Sequence, residues 1–214
     1  MGGYFITFEG GEGSGKTTQI QRLADHLKSQ IEGHFPLLTR EPGGTESAES
    51  IRQLLVTGRA DRWCAATEAM LMSASRHEHV VHVLRPALAA GRIVICDRYN
   101  DSTRVYQGVV GGVPSQDIEA LNRLACGDLV PDLTVLLDMD VEEGLRRAGA
   151  RATSESRFES KGTDFHRRVR QAFLDLASQE SGRFIVIDAA RDIDAIASDI
   201  VAAVMPRLAA ASLS

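Results

Sequence analysis

The chain is poor in the features that mark most specialised classes of protein. Its 214 residues include three cysteines, Cys64, Cys96 and Cys126, odd in number and far apart. They fit neither a disulfide framework nor a zinc site, and read as buried thiols of a reducing cytoplasm. No apolar run approaches the roughly 20 residues that span a bilayer. The N-terminus has neither the basic start nor the apolar core of a secretory signal, so a cytoplasmic protein with no membrane partner is expected. Basic charge is not in excess either. With 24 Lys+Arg against 29 Asp+Glu, the formal net charge is −5. That argues against a nucleic-acid partner but not against a small anionic ligand, for which a few local arginines suffice. Internal repeats and low-complexity linkers are missing, and the length suits one domain over 1–214.

What is present is an alternation of short β-rich runs with helical patterns. Tyr4–Glu9, Phe35–Thr39, Arg92–Asp97, Asp132–Asp138 and Arg183–Asp188 read as five strands. Between them, helical spacing runs from Lys16 to about Ile31, Ala48–Val56, Ala65–Ala90, Ser115–Cys126, Val141 to about Ser181 with a soft interruption, and Ile193 to about Leu208. Near-continuous apolar strands separated by helices predict an α/β fold: a five-stranded parallel sheet with helices on both faces. Right-handed crossovers then line the strand C-termini along one edge, where ligands bind in such folds.

At the first of those ends, Gly10-Gly11-Glu12-Gly13-Ser14-Gly15-Lys16-Thr17 fits G-x-x-x-x-G-K-[ST] between a strand and a helix, followed by Thr18. The pattern predicts a P-loop NTPase fold. Several backbone N–H groups must approach phosphate oxygens together, which side chains would obstruct, and the helix beginning near Lys16 adds its positive end. Lys16 is placed to bridge the β and γ phosphates and the Thr17 hydroxyl to ligate Mg²⁺. ATP and GTP are equally compatible with the loop. Glu12 is the anomaly, because an acid facing a triphosphate would repel it. It is expected to point out of the cradle toward a second substrate.

The second half of a site is expected at the same edge. Arg40 and Glu41 end the second strand, Arg52 follows in the next helix, Arg76 lies in the long helix, and Asp97 and Arg98 end the third strand. Converging guanidinium groups suit a phosphate, and a strand-terminal acid beside a phosphate loop suits the Mg²⁺ side or proton handling. A monophosphate kinase, a nucleoside kinase, an ATPase-type switch and a silent binding module all remain open at this point. Arg146, Arg147, Arg151, Arg157, Arg167, Arg168 and Arg170 crowd one region around a small, polar stretch. This predicts a mobile lid at about 149–162 that brings a cation to the transferring phosphoryl group, with Arg157 favoured and Arg151 second.

The segments "FEGGEGSGKTT", "REPGGT", "DRYNDSTRVYQG" and "RFESKGTDFHRRVR" together resemble the bacterial thymidylate kinases, in order and spacing, from about Phe5 to Asp188. The resemblance implies transfer of the ATP γ-phosphoryl group to dTMP with Mg²⁺, in a homodimer. It implies catalytic roles for Lys16, Asp97, Arg98, Arg157 and Glu12, and ATP contacts from Gly10 to Thr18 and from Arg151. It places Mg²⁺ by Thr17 and Asp97. Arg98, Arg52 and Glu41 would line the dTMP phosphate pocket, Arg76 and Thr103 would meet the thymine edge, and Tyr106 and Gln107 the sugar–base region. One position departs: Met72 stands where the family usually has an aromatic that stacks on thymine.

Overall fold

A computed structural model of the chain describes residues 3–30, 35–149, 157–158 and 161–211. Its strands are β1 (Tyr4–Gly10), β2 (Leu37–Arg40), β3 (Ile93–Asp97), β4 (Leu133–Asp138) and β5 (Phe184–Asp188). They form one sheet in the order β2-β3-β1-β4-β5, and every pairing is parallel. The alternation of side chains along a strand splits the core into two layers. Ile6, Phe8, Ile95, Leu133, Val135 and Leu137 pack against α1 (Lys16–Gln30) and α9 (Ile193–Ala211). Phe5, Val94 and Cys96 face the other way, toward the helices of residues 65–89 and α6 (Ser115–Cys126). Covering both faces is why the strands read as continuous apolar runs.

The chain leaves β1 for the far edge at β2, returns to β3, and then crosses to β4 on the opposite side of β1. The direction of winding therefore reverses at β1, and the loop after it opens into the crevice where such folds bind ligands. Helix α1 starts directly from that loop. Its buried stripe of Ile20, Leu23, Ala24 and Leu27 fixes it on the sheet. Helix α2 (Glu46–Val56) is started by Thr45, whose hydroxyl accepts a hydrogen bond from the Ala48 N–H at 3.0 Å.

The predicted helix over Ala65–Ala90 is continuous but not uniform. It comprises α3 (Ala65–His79), a wider π-helical stretch (Val80–Leu84) and α4 (Arg85–Ala89). Pro86 lies at the start of α4, lacks an N–H and cannot sit in a regular α-helical interior, and the widened turn immediately before it accommodates the ring. Two helical pieces were not legible as helix in the sequence: α5 (Asn100–Thr103) and a π-helical stretch, Arg104–Val110. They put Thr103, Tyr106 and Gln107 on one surface. The arginine-bearing region resolves into α7 (Val141–Gly149) and α8 (Thr163–Gln179). Cys96 and Cys126 are buried, but Cys64 is exposed where α3 begins, which corrects the expectation of three buried thiols. Among the described residues no helix is long and apolar enough to cross a membrane.

Candidate active site

The loop after β1 has the backbone its glycines were expected to allow. Gly10, Gly13 and Gly15 have φ of 137°, 71° and 86°, values that side-chain-bearing residues rarely adopt. A Cβ on Gly13 would lie 2.0 Å from the Gly144 carbonyl oxygen, and one on Gly144 would lie 2.5 Å from that of Glu12. The loop is thus pressed backbone to backbone against α7. Ser14 closes it locally by donating to the Gly11 carbonyl at 3.0 Å. The Lys16 ammonium lies within the cradle, donating to the carbonyls of Gly10 (3.3 Å) and Gly11 (3.0 Å). Burial and the nearby Arg98 guanidinium lower its pKa, while Asp97, Glu12 and Glu9 oppose them. Thr17 donates to the Asp97 carboxylate at 3.4 Å. Thr18 is exposed in the first turn of α1.

A single cleft of about 270 Å³ runs from this loop to the second group of predicted residues. Glu12, Lys16, Thr17, Arg52, Met72, Arg76, Asp97, Arg98, Thr103, Tyr106 and Gln107 all line it. Arg98 sits where the two halves meet. It is the one described non-glycine residue with positive φ, 68°, a conformation that costs energy and persists only when its surroundings hold it. Glu9 supplies that hold. Its carboxylate accepts hydrogen bonds from the Tyr99 N–H (2.9 Å), the Ser102 N–H (3.3 Å) and the Ser102 hydroxyl (2.7 Å), and lies 3.8 Å from Arg98.

Glu12 faces the same guanidinium rather than the inside of the cradle. It accepts from Arg98 at 2.9 Å and from the Tyr106 hydroxyl at 3.3 Å. Burial alone would raise the Glu12 pKa, but Arg98 and Lys16 outweigh it and keep the carboxylate ionised. Burial also acts to lower the Arg98 pKa. Tyr106, Glu12, Glu9 and Asp97 more than reverse that, so the guanidinium stays charged. Its carbon lies 5.2 Å from the Tyr106 ring centre.

Deeper in the cleft, Arg76 is only 2% exposed. Its Nε donates to Glu41 at 2.6 Å, and its Nη2 donates to the Tyr99 carbonyl and the Thr103 hydroxyl, both at 3.1 Å. Nη1 is buried with no partner. Glu41 is fully engaged in holding this arginine and His79, which it meets at 2.9 Å. It also lines the cleft, so it stands in the wall where it was expected while supporting Arg76 from behind. Arg52 Nη1 donates to the Pro42 carbonyl at 2.7 Å. Gln107 donates to Glu68 at 2.9 Å.

The described arginines of this region are held by partners within the chain. Arg157 is 1% exposed. Its guanidinium donates to the carbonyls of Arg59 (3.0 Å), Leu55 (3.1 Å) and Ala60 (3.1 Å), and to the Glu68 carboxylate. In this structure it ties the chain to the end of α2 and the start of α3 instead of facing the phosphate loop. The carbonyls at the end of α2 and a buried acid are stronger attractions for a guanidinium than open cleft. Arg146 and Arg147 pair with Glu143, Arg167 with Glu142 and Asp164, and Arg170 with Asp138, while Arg168 donates to the Val110 carbonyl. None of these six lines the cleft. Arg151 and most of the predicted lid lie outside the described residues. Three residues the motifs did not single out matter here. They are Glu9, whose signal is an acid in an otherwise apolar strand, and Glu68 and Gly144, which carry no local signal.

A phosphate cradle joined end to end with an arginine-lined acceptor cleft, at the winding reversal of a five-stranded parallel sheet, defines a P-loop phosphotransferase acting on a second phosphorylated substrate. A family model described as thymidylate kinase matches residues 8–200. A thymidylate kinase of Caulobacter vibrioides is 52% identical over 206 residues, covering 96% of this chain and 98% of the relative. One of Ruegeria pomeroyi is 50% identical, covering 96% of each. The crystal structure of thymidylate kinase from Ehrlichia chaffeensis is similar with a TM-score of 0.78 at 34% identity, covering 96% of this chain and all of that one. The chain belongs to the thymidylate kinase family, and its reaction is the phosphorylation of dTMP to dTDP.

Proposed function

We propose that ATP and dTMP lie end to end in the cleft, with the γ-phosphoryl group passing in line between them beside Arg98, in a cytoplasmic enzyme built as one domain. The observation that carries the acceptor half is Arg76 Nη1, a buried donor with no partner in a wall of the cleft. A buried unpaired donor is costly unless a ligand satisfies it, and a thymine carbonyl would do so. Thr103, Tyr106 and Gln107 would surround base and sugar, Met72 would pack on the ring face, and Arg98 and Arg52 would face the dTMP phosphate. The loop from Gly10 to Thr18 would hold the ATP phosphates.

Thr17 and Asp97 offer a hydroxyl and a carboxylate oxygen 3.4 Å apart at the start of α1. Hard oxygen donors in this number fit Mg²⁺, which keeps several waters and takes its remaining ligands from substrate phosphates. Mg²⁺ when bound there would neutralise charge on the phosphates. The chain's own part is alignment, charge and exclusion of water. The acceptor is already an anion at neutral pH and needs no strong base, so Asp97 is assigned to positioning. Lys16 and Arg98 stabilise the charge that develops on the transferring group. With Arg157 engaged elsewhere, the sequence leaves Arg151 as the lid-borne cation. A homodimer belongs to the same reading. Met70, Val81 and Leu124 support it as exposed apolar side chains on the helices of residues 65–89 and on α6.

Steady-state kinetics of Arg76→Ala test the assignment. KM for dTMP is expected to rise roughly tenfold or more, with KM for ATP within about twofold. Unchanged KM for dTMP would remove Arg76 from the acceptor site.

A further inference from the structure

We propose that Glu68 is a positioning residue that decides which end of the Gln107 amide faces the base, and so makes the cleft select a pyrimidine with a ring N–H. The inference rests on the placement of the base beside Arg76 given above. Glu68 is 2% exposed, in the first turn of α3. One carboxylate oxygen accepts from Arg157 and, at 3.4 Å, from Lys161; the other accepts from Gln107 Nε2 at 2.9 Å. Paired with two cations, Glu68 is a carboxylate, which accepts hydrogen bonds and donates none. An amide beside it must present its NH₂ group. Gln107, itself 2% exposed and lining the cleft, then has its carbonyl oxygen fixed on the side of the amide away from Glu68, with the second amide N–H as its remaining donor.

The adjoining wall carries the opposite character. Arg76 Nη1 is buried without a partner, and a guanidinium has donors only. The Thr103 hydroxyl accepts from Arg76 Nη2 and can serve as donor or acceptor toward a ligand, so it discriminates little. The cleft therefore offers one fixed donor and one fixed acceptor. Thymine shows a carbonyl beside a ring N–H, which matches. Cytosine shows an amino group beside a bare ring nitrogen, which inverts both. A carboxylate one layer behind the base thus writes the hydrogen-bond pattern that the base must answer.

Replacing Glu68 by glutamine keeps shape and gives Gln107 a neighbour that both donates and accepts, so the amide is free to turn. The ratio of kcat/KM for dCMP to that for dTMP is expected to rise roughly tenfold in Glu68→Gln. The exchanged pair Glu68→Gln/Gln107→Glu restores a carboxylate facing an amide, with an acceptor-only group now lining the cleft. It is expected to return the ratio to within about threefold of the parent. A merely structural role for Glu68 predicts no such restoration. A ratio that stays within about twofold in Glu68→Gln, while Arg76→Ala still raises KM for dTMP, overturns the inference and leaves the base placement standing. If Arg76→Ala leaves that KM unchanged, the base placement itself has failed. Should the single variant not fold, the exchanged pair decides alone: preference for dTMP kept supports the inference, preference lost overturns it.

Discussion

Glu9 is an acid at the end of a strand whose other residues are almost all apolar, and it is wholly buried. Burial pushes its carboxyl from an ordinary 4.5 up to about 7, against the pull of Arg98 and the hydrogen bonds it accepts. The folded carboxyl holds its proton more tightly than the unfolded one. Its contribution to stability is therefore complete below about pH 4.5 and is lost as pH rises through about 7. Urea unfolding across a pH series should show the parent losing about 2–3 kcal/mol relative to Glu9→Gln between pH 5 and 8. A difference that does not move with pH would mean that Glu9 titrates as an ordinary carboxyl. At this scale the motifs pointed to residues that the fold brings together. The loop, Arg76, Arg98, Tyr106 and Glu12 all line one cleft. The supporting residues were harder to see. Glu9, Glu68 and His79 act through partners 38 to 93 positions away in the chain, a separation that local pattern does not encode.

Among the elements, strands were legible to within a residue or two because both faces of the sheet are covered and the apolar runs are unbroken. The two pieces directly after β3 were not, because α5 is only four residues long and the π-helical stretch Arg104–Val110 buries Val105, Tyr106, Gln107, Gly108 and Val110 without a 3.6-residue stripe. The segment carrying Arg157 shows the limit most clearly. A cluster of arginines in the sequence suggests a phosphate target, yet the carbonyls at the end of α2 and the Glu68 carboxylate hold this one. Arg157→Ala strips a buried acid of a partner and frees three carbonyls. It is expected to lower stability by about 3 kcal/mol, a fall in melting temperature of roughly 6–12 °C. Retention of the melting temperature with a ~10³-fold lower kcat would instead place Arg157 at the transferring phosphoryl group.

For the molecule as a whole, the exposed apolar side chains of α3 and α6 set the expected assembly. Leu124 is 77% exposed and Met70 53%, on helices that pack against each other. Sedimentation at micromolar concentration should give about twice the 23.2 kDa chain mass, and Leu124→Glu should shift it to the monomer. A parent that sediments as a single chain excludes the homodimer. Within each copy, the meeting of Gly13 with Gly144 has a mechanical outcome. Two backbones touch there with no side chain between them, so the seam behaves as a bare bearing surface. Any tilt of α7 is passed without cushioning to the backbone amides of the glycine loop.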